Sequence, residues 1–182
     1  MAVRTSLIPI INRVRLNISD AAGSEALFTD EEIQEYLDAR RRDVFELPLA
    51  PAPSDVDFYS PVGGWWEDSV TLTTTSEVEI TALTTPALVS SNLVIGHWKL
   101  DDSLNSLLLT GSQYDVNGCS ADLLDATLTR VMLEFDFLEL GSTFKASQQA
   151  IAVEQAVKRY RARQWIVMSQ FNSNDYNMGW YQ

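Results

Sequence analysis

The residues of this 182-residue chain that could do chemistry are few. His97 is the only histidine and Cys119 the only cysteine, so any Ser-His-Asp or Cys-His arrangement would have to use His97. His97 stands beside Trp98 in an apolar, strand-like pattern, which favours a hydrogen-bonded structural histidine. A single cysteine excludes an intrachain disulfide and a cysteine-based zinc cluster, and it fits synthesis in a reducing cytoplasm.

Carboxylates are the other candidates for chemistry, because two of them can hydrolyse a glycoside when they flank a sugar-binding cleft. They occur in neighbouring pairs at Asp55 and Asp57, Glu67 and Asp68, Glu77 and Glu79, and Asp101 and Asp102. Aromatic platforms for a sugar could come from Trp65, Trp66 and Trp98. Adjacency in sequence does not create opposed geometry, and no nucleophile elbow, phosphate-binding loop or HExxH motif is present. We therefore predict no catalytic residue, no metal and no cofactor, with a glycan-binding or host-surface-binding module as an alternative.

The charges are segregated along the chain, whose formal net charge is -12. Between Asp43 and Leu140, sixteen acidic residues face only two basic ones. Seven of the other basic residues gather in two clusters, Arg40, Arg41 and Arg42 in one and Lys158, Arg159, Arg161 and Arg163 in the other. Excess negative charge argues against sequence-independent binding to nucleic acid, which depends on Lys and Arg. Opposite-sign surfaces could join copies of the chain, or they could be solvated helix faces.

Helical periodicity dominates both ends of the chain. Residues 5–18 carry an apolar stripe, with Pro9 tolerated only in a first helical turn. Thr29 and Glu32 form a capping-box pattern, so a helix is predicted over residues 30–42. Two more helices are predicted, from just after Tyr114 to about residue 138 and over residues 147–167. Arg13 and Arg15 interrupt the N-terminal apolar stretch, and no window reaches the ~18 apolar residues of a membrane span, so we predict no membrane partner.

The middle of the chain has the alternation and the Val, Thr and Ile content of strands. Strands are predicted over residues 69–75, 77–83, 93–100 and 107–112. The fold class predicted is α+β: a four-helix bundle-like core with an inserted small antiparallel β subdomain and an extended C-terminal tail. Residues 1–45 and 113–168 would form the bundle as one discontinuous domain, residues 46–112 the β insertion and residues 169–182 the tail.

The tail is polar and aperiodic but carries four large aromatic residues: Phe171, Tyr176, Trp180 and Tyr181. No helical or strand face is available to bury them within the tail, and such side chains dominate protein interfaces. The tail is therefore predicted to dock into a neighbouring protein. It could instead fold over its own subunit or be disordered.

Several segments together resemble the head–tail connector (adaptor) proteins of tailed bacteriophages. The first half of the resemblance pairs a helix containing LI and RVRL (residues 7–16) with LFTDEEIQEYLD (residues 27–38). The second half comprises YDVNGCSADLLDA (114–126), LEFDF (133–137), FKASQQA (144–150) and VKRYRA (157–162). The resemblance spans residues 6–38 and 114–162, roughly 80 of the 182 residues, in the order found in the family, and none of its segments is a catalytic signature.

The resemblance implies a structural subunit that forms a ring, usually of twelve copies, beneath the portal protein of the capsid. Such a ring extends the DNA channel, lets DNA pass without sequence-specific binding, and offers a platform to a stopper, neck or tail protein. The family's C-terminal region commonly contacts the portal, so this role is expected of the tail aromatics. The expected location is the neck of the virion, after assembly in the host cytoplasm.

The charges suggest how copies of the chain could meet in such a ring. We predict contacts between subunits that involve one basic and one acidic set, namely Arg40, Arg41, Arg42, Arg159 and Arg163 with Asp122 and Asp125. Exposed pairs contribute only about 0–1 kcal/mol each and would set register more than affinity. A different neck component, such as a stopper or tail-terminator protein, is the alternative within the same assembly.

Overall fold

The protein is described from a computed structural model that covers residues 2–23, 26–52, 55–135 and 143–164. Two helices come first, α1 (Ile8–Ile18), preceded by a short 3-10 turn (Thr5–Leu7), and α2 (Asp30–Ala39). Seven strands follow: β1 (Arg41–Pro48), β2 (Ala50–Pro51), β3 (Asp57–Tyr59), β4 (Thr71–Thr73), β5 (Leu88–Asn92), β6 (His97–Leu100) and β7 (Leu108–Tyr114). Two helices close the order, α3 (Val116–Phe135) and α4 (Thr143–Arg161). The mixed helix and sheet architecture confirms the α+β class.

Helices α1, α2 and α3 share one apolar cluster around the first half of α3. Its buried members come from α1, α2, the end of β7 and α3, and they include Ile11, Val14, Leu37, Cys119 and Leu123. Both ends of α1 follow the sequence pattern, because Pro9 lies in the first turn and Ser19 ends the helix in a left-handed conformation. Helix α4 packs against α3, and its Tyr160 hydroxyl donates to the Asn17 carbonyl oxygen (2.9 Å).

The capping box of α2 forms as predicted. The Glu32 backbone N–H donates to Thr29 Oγ1 (3.2 Å), and the Thr29 N–H donates to Glu32 Oε2 (2.7 Å). The predicted end of this helix at residue 42 is wrong, since Arg40 already leaves the helix and Arg41 starts strand β1. Backbone pairing with β7 and burial of Val44 and Leu47 outweigh the helical tendency of the arginines.

The strands form two antiparallel sheets with the orders β1-β7-β4 and β2-β3-β6-β5. Backbone hydrogen bonds also link them outside the named strands, for example from Leu88 N to Thr81 O (2.9 Å) and from Trp66 N to Leu93 O (3.1 Å). A second apolar cluster lies between the sheets, and Phe58, Trp66, Trp98 and Leu109 are among its buried members. We call the two sheets, together with the apolar cluster to which both contribute, the β subdomain.

Four predictions within the β subdomain need correction. The strand predicted over residues 69–75 is limited to Thr71–Thr73. Residues 77–83 do not form a strand but a turn and one bridge, Thr73 to Glu79. Residues 93–96 form the turn between β5 and β6, and β5 itself was not predicted. The strand predicted over 107–112 runs instead from Leu108 to Tyr114 and leads directly into α3. Helix α4 begins at Thr143, four residues before the predicted start, and ends at Arg161, while the predicted end of α3 at residue 138 lies outside the described residues.

Trp98 holds the β subdomain together, because it is 1% exposed and its ring lies edge-to-face with that of Trp66, at 6.2 Å and 70°. Trp98→Ala should lower the free energy of unfolding by about 3–5 kcal/mol through lost burial and the cavity left behind. Urea denaturation would measure this loss. The control Val89→Ala, on the exposed face of β5, should stay within about 0.5 kcal/mol of the wild type.

Candidate interaction surface

The charges predicted to act between subunits are partly paired inside the chain. Arg40 binds Asp122 through two hydrogen bonds, from Nε to Oδ2 (2.9 Å) and from Nη2 to Oδ1 (3.0 Å). This contact with Asp122 raises the pKa of Arg40 above its ordinary value. Arg161 forms an ion pair with Asp125. The two aspartates of α3 thus hold the ends of α2 and α4 against it, and this internal use is what the sequence alone did not reveal.

The remaining predicted cations are exposed. Arg41 pairs with Asp43 on the same strand (2.7 Å). Arg42, Arg159 and Arg163 form no ion pair with any acidic side chain that the structure describes. An inter-subunit role for the whole set stays a prediction, and Arg42, Arg159 and Arg163 are the members free to fulfil it. We call these three arginines the basic belt.

The basic belt gathers at the junction of the helices and the β subdomain. The Asn117 side chain, in the first turn of α3, donates to the Arg163 carbonyl oxygen (3.3 Å). The Asp115 N–H donates to the Arg40 carbonyl oxygen (3.3 Å), which places the start of β1 beside the same turn. Arg42 faces Gln113 in the register of β1 and β7. The backbone at the start of β1 and the backbone after α4 therefore both lie beside the start of α3.

A buried polar network fixes the junction itself. Glu67 Oε2 accepts from the Tyr114 hydroxyl (2.7 Å), and Oε1 accepts from the Ser6 hydroxyl (2.6 Å). Arg4 bridges Asp38 of α2 and the Tyr114 hydroxyl. The network ties the N-terminal segment, α2 and the end of β7 together. Glu67 is thereby a structural carboxylate, with its neighbour Asp68 exposed, and the two do not face each other across a cleft as glycoside hydrolysis requires.

Because of this network, we expect the protein to lose stability at alkaline pH. Burial first, then the hydrogen bond to Glu67, raises the pKa of Tyr114 well above its ordinary value of about 10. Because the folded state favours the neutral phenol, its contribution to stability is complete below pH ~10 and is lost as the pH rises above that value. Urea denaturation from pH 8 to 11 should show this loss. Tyr114→Phe should cost about 1 kcal/mol at pH 8 and flatten the alkaline decline, and an unchanged decline would contradict the assignment.

Two of the three tryptophans proposed as sugar platforms are unavailable. Trp66 is 2% exposed and Trp98 lies in the same core, so the prediction of a platform from these residues is wrong. Trp65 is half-buried and has the Arg13 guanidinium over its ring at 5.8 Å. Trp66 and Trp98 are thus core residues of the β subdomain and offer no binding face.

The candidate catalytic residues have structural surroundings. His97 Nε2 is 2.9 Å from Asp57 Oδ1 and its ring stacks on Tyr59 at 4.6 Å, which confirms the hydrogen-bonded histidine. Burial raises the pKa of the Cys119 thiol, so little reactive thiolate forms. Among the residues described, no three His, Cys, Asp or Glu side chains converge as a metal site would require. Within the same part of the chain, no helix has the length and hydropathy to cross a bilayer.

The predicted portal-docking residues Phe171, Tyr176, Trp180 and Tyr181 lie outside the described residues, so their role stays a prediction. The chain was compared with models of protein families, with characterised proteins and with solved structures, and none of these comparisons gave a match. Function therefore has to be argued from the residues and their geometry.

Proposed function

We propose that this protein is a head–tail adaptor of a tailed bacteriophage. It forms a ring of about twelve copies, as the family resemblance implies, docks on the portal, extends the DNA channel and joins the capsid to the neck or tail. It acts as a structural protein of the virion and is assembled in the host cytoplasm. DNA passes through the ring without sequence-specific binding, in keeping with the acidic net charge.

The observation that carries the proposal is that the two parts of the chain with the family resemblance pack against each other. Residues 7–38 and 114–162 are separated by 75 residues of mainly strand and loop, yet α1, α2 and α3 share one apolar cluster. Segments that resemble one family in the right order are thus also neighbours in space, as a discontinuous domain requires. We propose that α4 completes a four-helix bundle with them, supported by its packing on α3 and the Tyr160–Asn17 hydrogen bond.

The C-terminal tail is the proposed contact with the portal. The last described residues, 162–164, follow α4 beside Asn117, and the tail itself lies outside the described residues. Aromatic side chains on a polar segment suit docking into apolar pockets of a preformed partner, where burial offsets the entropy lost on ordering. The β subdomain, in contrast, is left free to face solvent or the next component of the neck.

Direct binding to the portal tests the proposal. Purified protein would be passed over immobilised portal rings of the same phage, with stopper and tail-terminator proteins of that phage as parallel surfaces. Saturable binding to the portal in the absence of other neck proteins is the expected result. Binding to the stopper or tail terminator without binding to the portal would assign the chain to a different position in the neck.

A further inference from the structure

The end of the β subdomain farthest from the helices is acidic. Residues 74–76, 78, 80, 85–86 and 104–106 line one shallow depression there. Glu77 and Glu79 are exposed and alternate in sequence with its lining residues, and Asp101 accepts from the N–H of Ala87, which follows its Pro86. We call these three carboxylates and the exposed Asp102 the acidic end. Within the described part of the chain, none of the four forms an ion pair.

The loops of the acidic end are held in place by local hydrogen bonds. Thr74 Oγ1 accepts from the N–H groups of Ser76 and Val78 (3.2 Å each), and Thr74 N donates to the Val78 carbonyl oxygen (2.9 Å). Asp101 Oδ1 accepts from the Ala87 N–H (2.6 Å). The carboxylates are therefore presented from ordered turns, which lowers the entropy cost of binding through them.

Two exposed apolar side chains belong to the same stretch of sequence as Glu77 and Glu79. Leu83 is 96% exposed and Val78 is 53% exposed. The Leu83 N–H donates to Thr81 Oγ1 (3.2 Å), so this turn too is fixed. Exposed apolar side chains close in sequence to exposed carboxylates have the composition of a small interface with an apolar centre and a polar rim.

The acidic end cannot reach the basic belt of its own subunit. Strand β7 starts at Leu108, opposite Thr73, and ends at Tyr114, opposite Arg41. Seven residues of strand at about 3.4 Å each separate the two ends by about 20 Å, which is beyond the length of an ion pair. The described cations and anions that form no ion pair within the subunit thus lie toward opposite ends of β7.

We propose that the acidic end of one subunit docks on the basic belt of the next copy of the chain. Glu77 and Glu79 would meet Arg42 and Arg159, and Leu83 would supply the apolar centre. Because the two surfaces differ, the contact is heterologous, and such contacts close into rings when the rotation between subunits permits. This inference rests on the proposed ring and names the surfaces that build it. Charge complementarity favours a second copy over another neck protein, since each surface offers what the other lacks.

A charge exchange tests the inference. Arg42→Glu with Arg159→Glu, and separately Glu77→Lys with Glu79→Lys, should each weaken assembly about ten-fold or more at low salt, because like charges would face each other. Combining all four changes in one chain should restore assembly, since the pairs are remade with exchanged signs. As a matched control, Glu31→Lys with Glu35→Lys, exposed acids on α2, should not rescue the arginine variant.

Mass photometry of each variant with and without the portal would separate the outcomes. Rings from the wild type that form equally well from both double variants, or a four-fold variant no better than either, would overturn the inference while leaving the adaptor function intact. Loss of stopper binding alone in the Glu77 and Glu79 variant would also overturn it, because the occupant would be another protein. A wild-type chain that neither binds the portal nor self-associates would overturn both proposals.

Discussion

Removal of residues 171–182 is expected to abolish binding to the portal and to leave the helical and β cores folded. The members of the two apolar clusters that the structure describes lie between Val3 and Ala126, and we expect the free energy of unfolding to change by no more than about 0.5 kcal/mol. The portal contact should disappear because the deleted segment holds all the aromatic anchors proposed for it. Interferometry on portal rings would measure the binding, and urea denaturation the stability.

Point substitutions in the full-length chain sharpen this test. Replacing Phe171, Tyr176, Trp180 and Tyr181 together with alanine should reproduce the loss, because hot-spot energy resides in large side chains. The matched control replaces the intervening polar residues Asn172, Ser173 and Asn174 with alanine and should retain binding. Undiminished binding of the truncated protein would show that the portal is held by another surface.

Arg15→Met is expected to destabilise the protein by about 3–5 kcal/mol, because it leaves a buried carboxylate without its cation. Arg15 is 6% exposed and is bound on three sides. Its guanidinium donates to Asp20 Oδ2 (2.9 Å), to Asp30 Oδ1 and to the Phe28 carbonyl oxygen (2.8 Å). Asp20 in turn accepts from the N–H groups of Leu27 and Phe28, so one arginine anchors α1, the following loop and the start of α2.

A double-mutant cycle identifies the cause of the loss. Adding Asp20→Asn to Arg15→Met should recover part of the stability, because the buried charge is then removed from both sides. Arg13→Met, an exposed arginine on the same helix, is the control and should cost no more than about 1 kcal/mol, the value of its contact with Trp65. If Arg15→Met were as mild as this control, the Arg15 pocket would be solvated and not a buried anchor.

Local signals in the sequence predicted the starts of α1 and α2. A proline can stand in a first turn and a Thr-x-x-Glu pattern satisfies free N–H groups, whatever surrounds them, and both α1 and α2 begin where these signals place them. Ends that depend on tertiary partners were not predicted. Arg41 and Arg42 favour a helix by themselves, but pairing with β7 makes them strand residues.

Strand positions in the β subdomain also depend on tertiary partners and were not all predicted. Residues 77–83 alternate as a buried strand would, yet Glu77 adopts a positive φ of 61° within a turn and only Ile80 is buried. Strand β5 has four exposed residues out of five, so it carries no alternation of burial that a sequence pattern could report. Edge position and turn conformation are properties of the assembled sheet.

Charge clusters could be found in the sequence, but their partners could not. In the sequence, Asp122 and Asp125 have the spacing of solvent-exposed acidic residues on a helix. Only the folded structure shows that they form ion pairs with Arg40 and Arg161. Conversely, Arg15 interrupts an apolar stripe and is nevertheless buried, because Asp20 and Asp30 reach it from later segments. Pairing of this kind is decided by tertiary geometry, which leaves no local pattern.

The mass of the complex formed with the portal tests the adaptor assignment most directly. Portal rings would be mixed with an excess of the full-length protein, weighed by mass photometry and imaged by negative stain. We expect a single heavier species with about twelve added subunits, seen as a second ring at the narrow end of the portal. Portal particles of unchanged mass and shape, beside a monomeric protein, would contradict it.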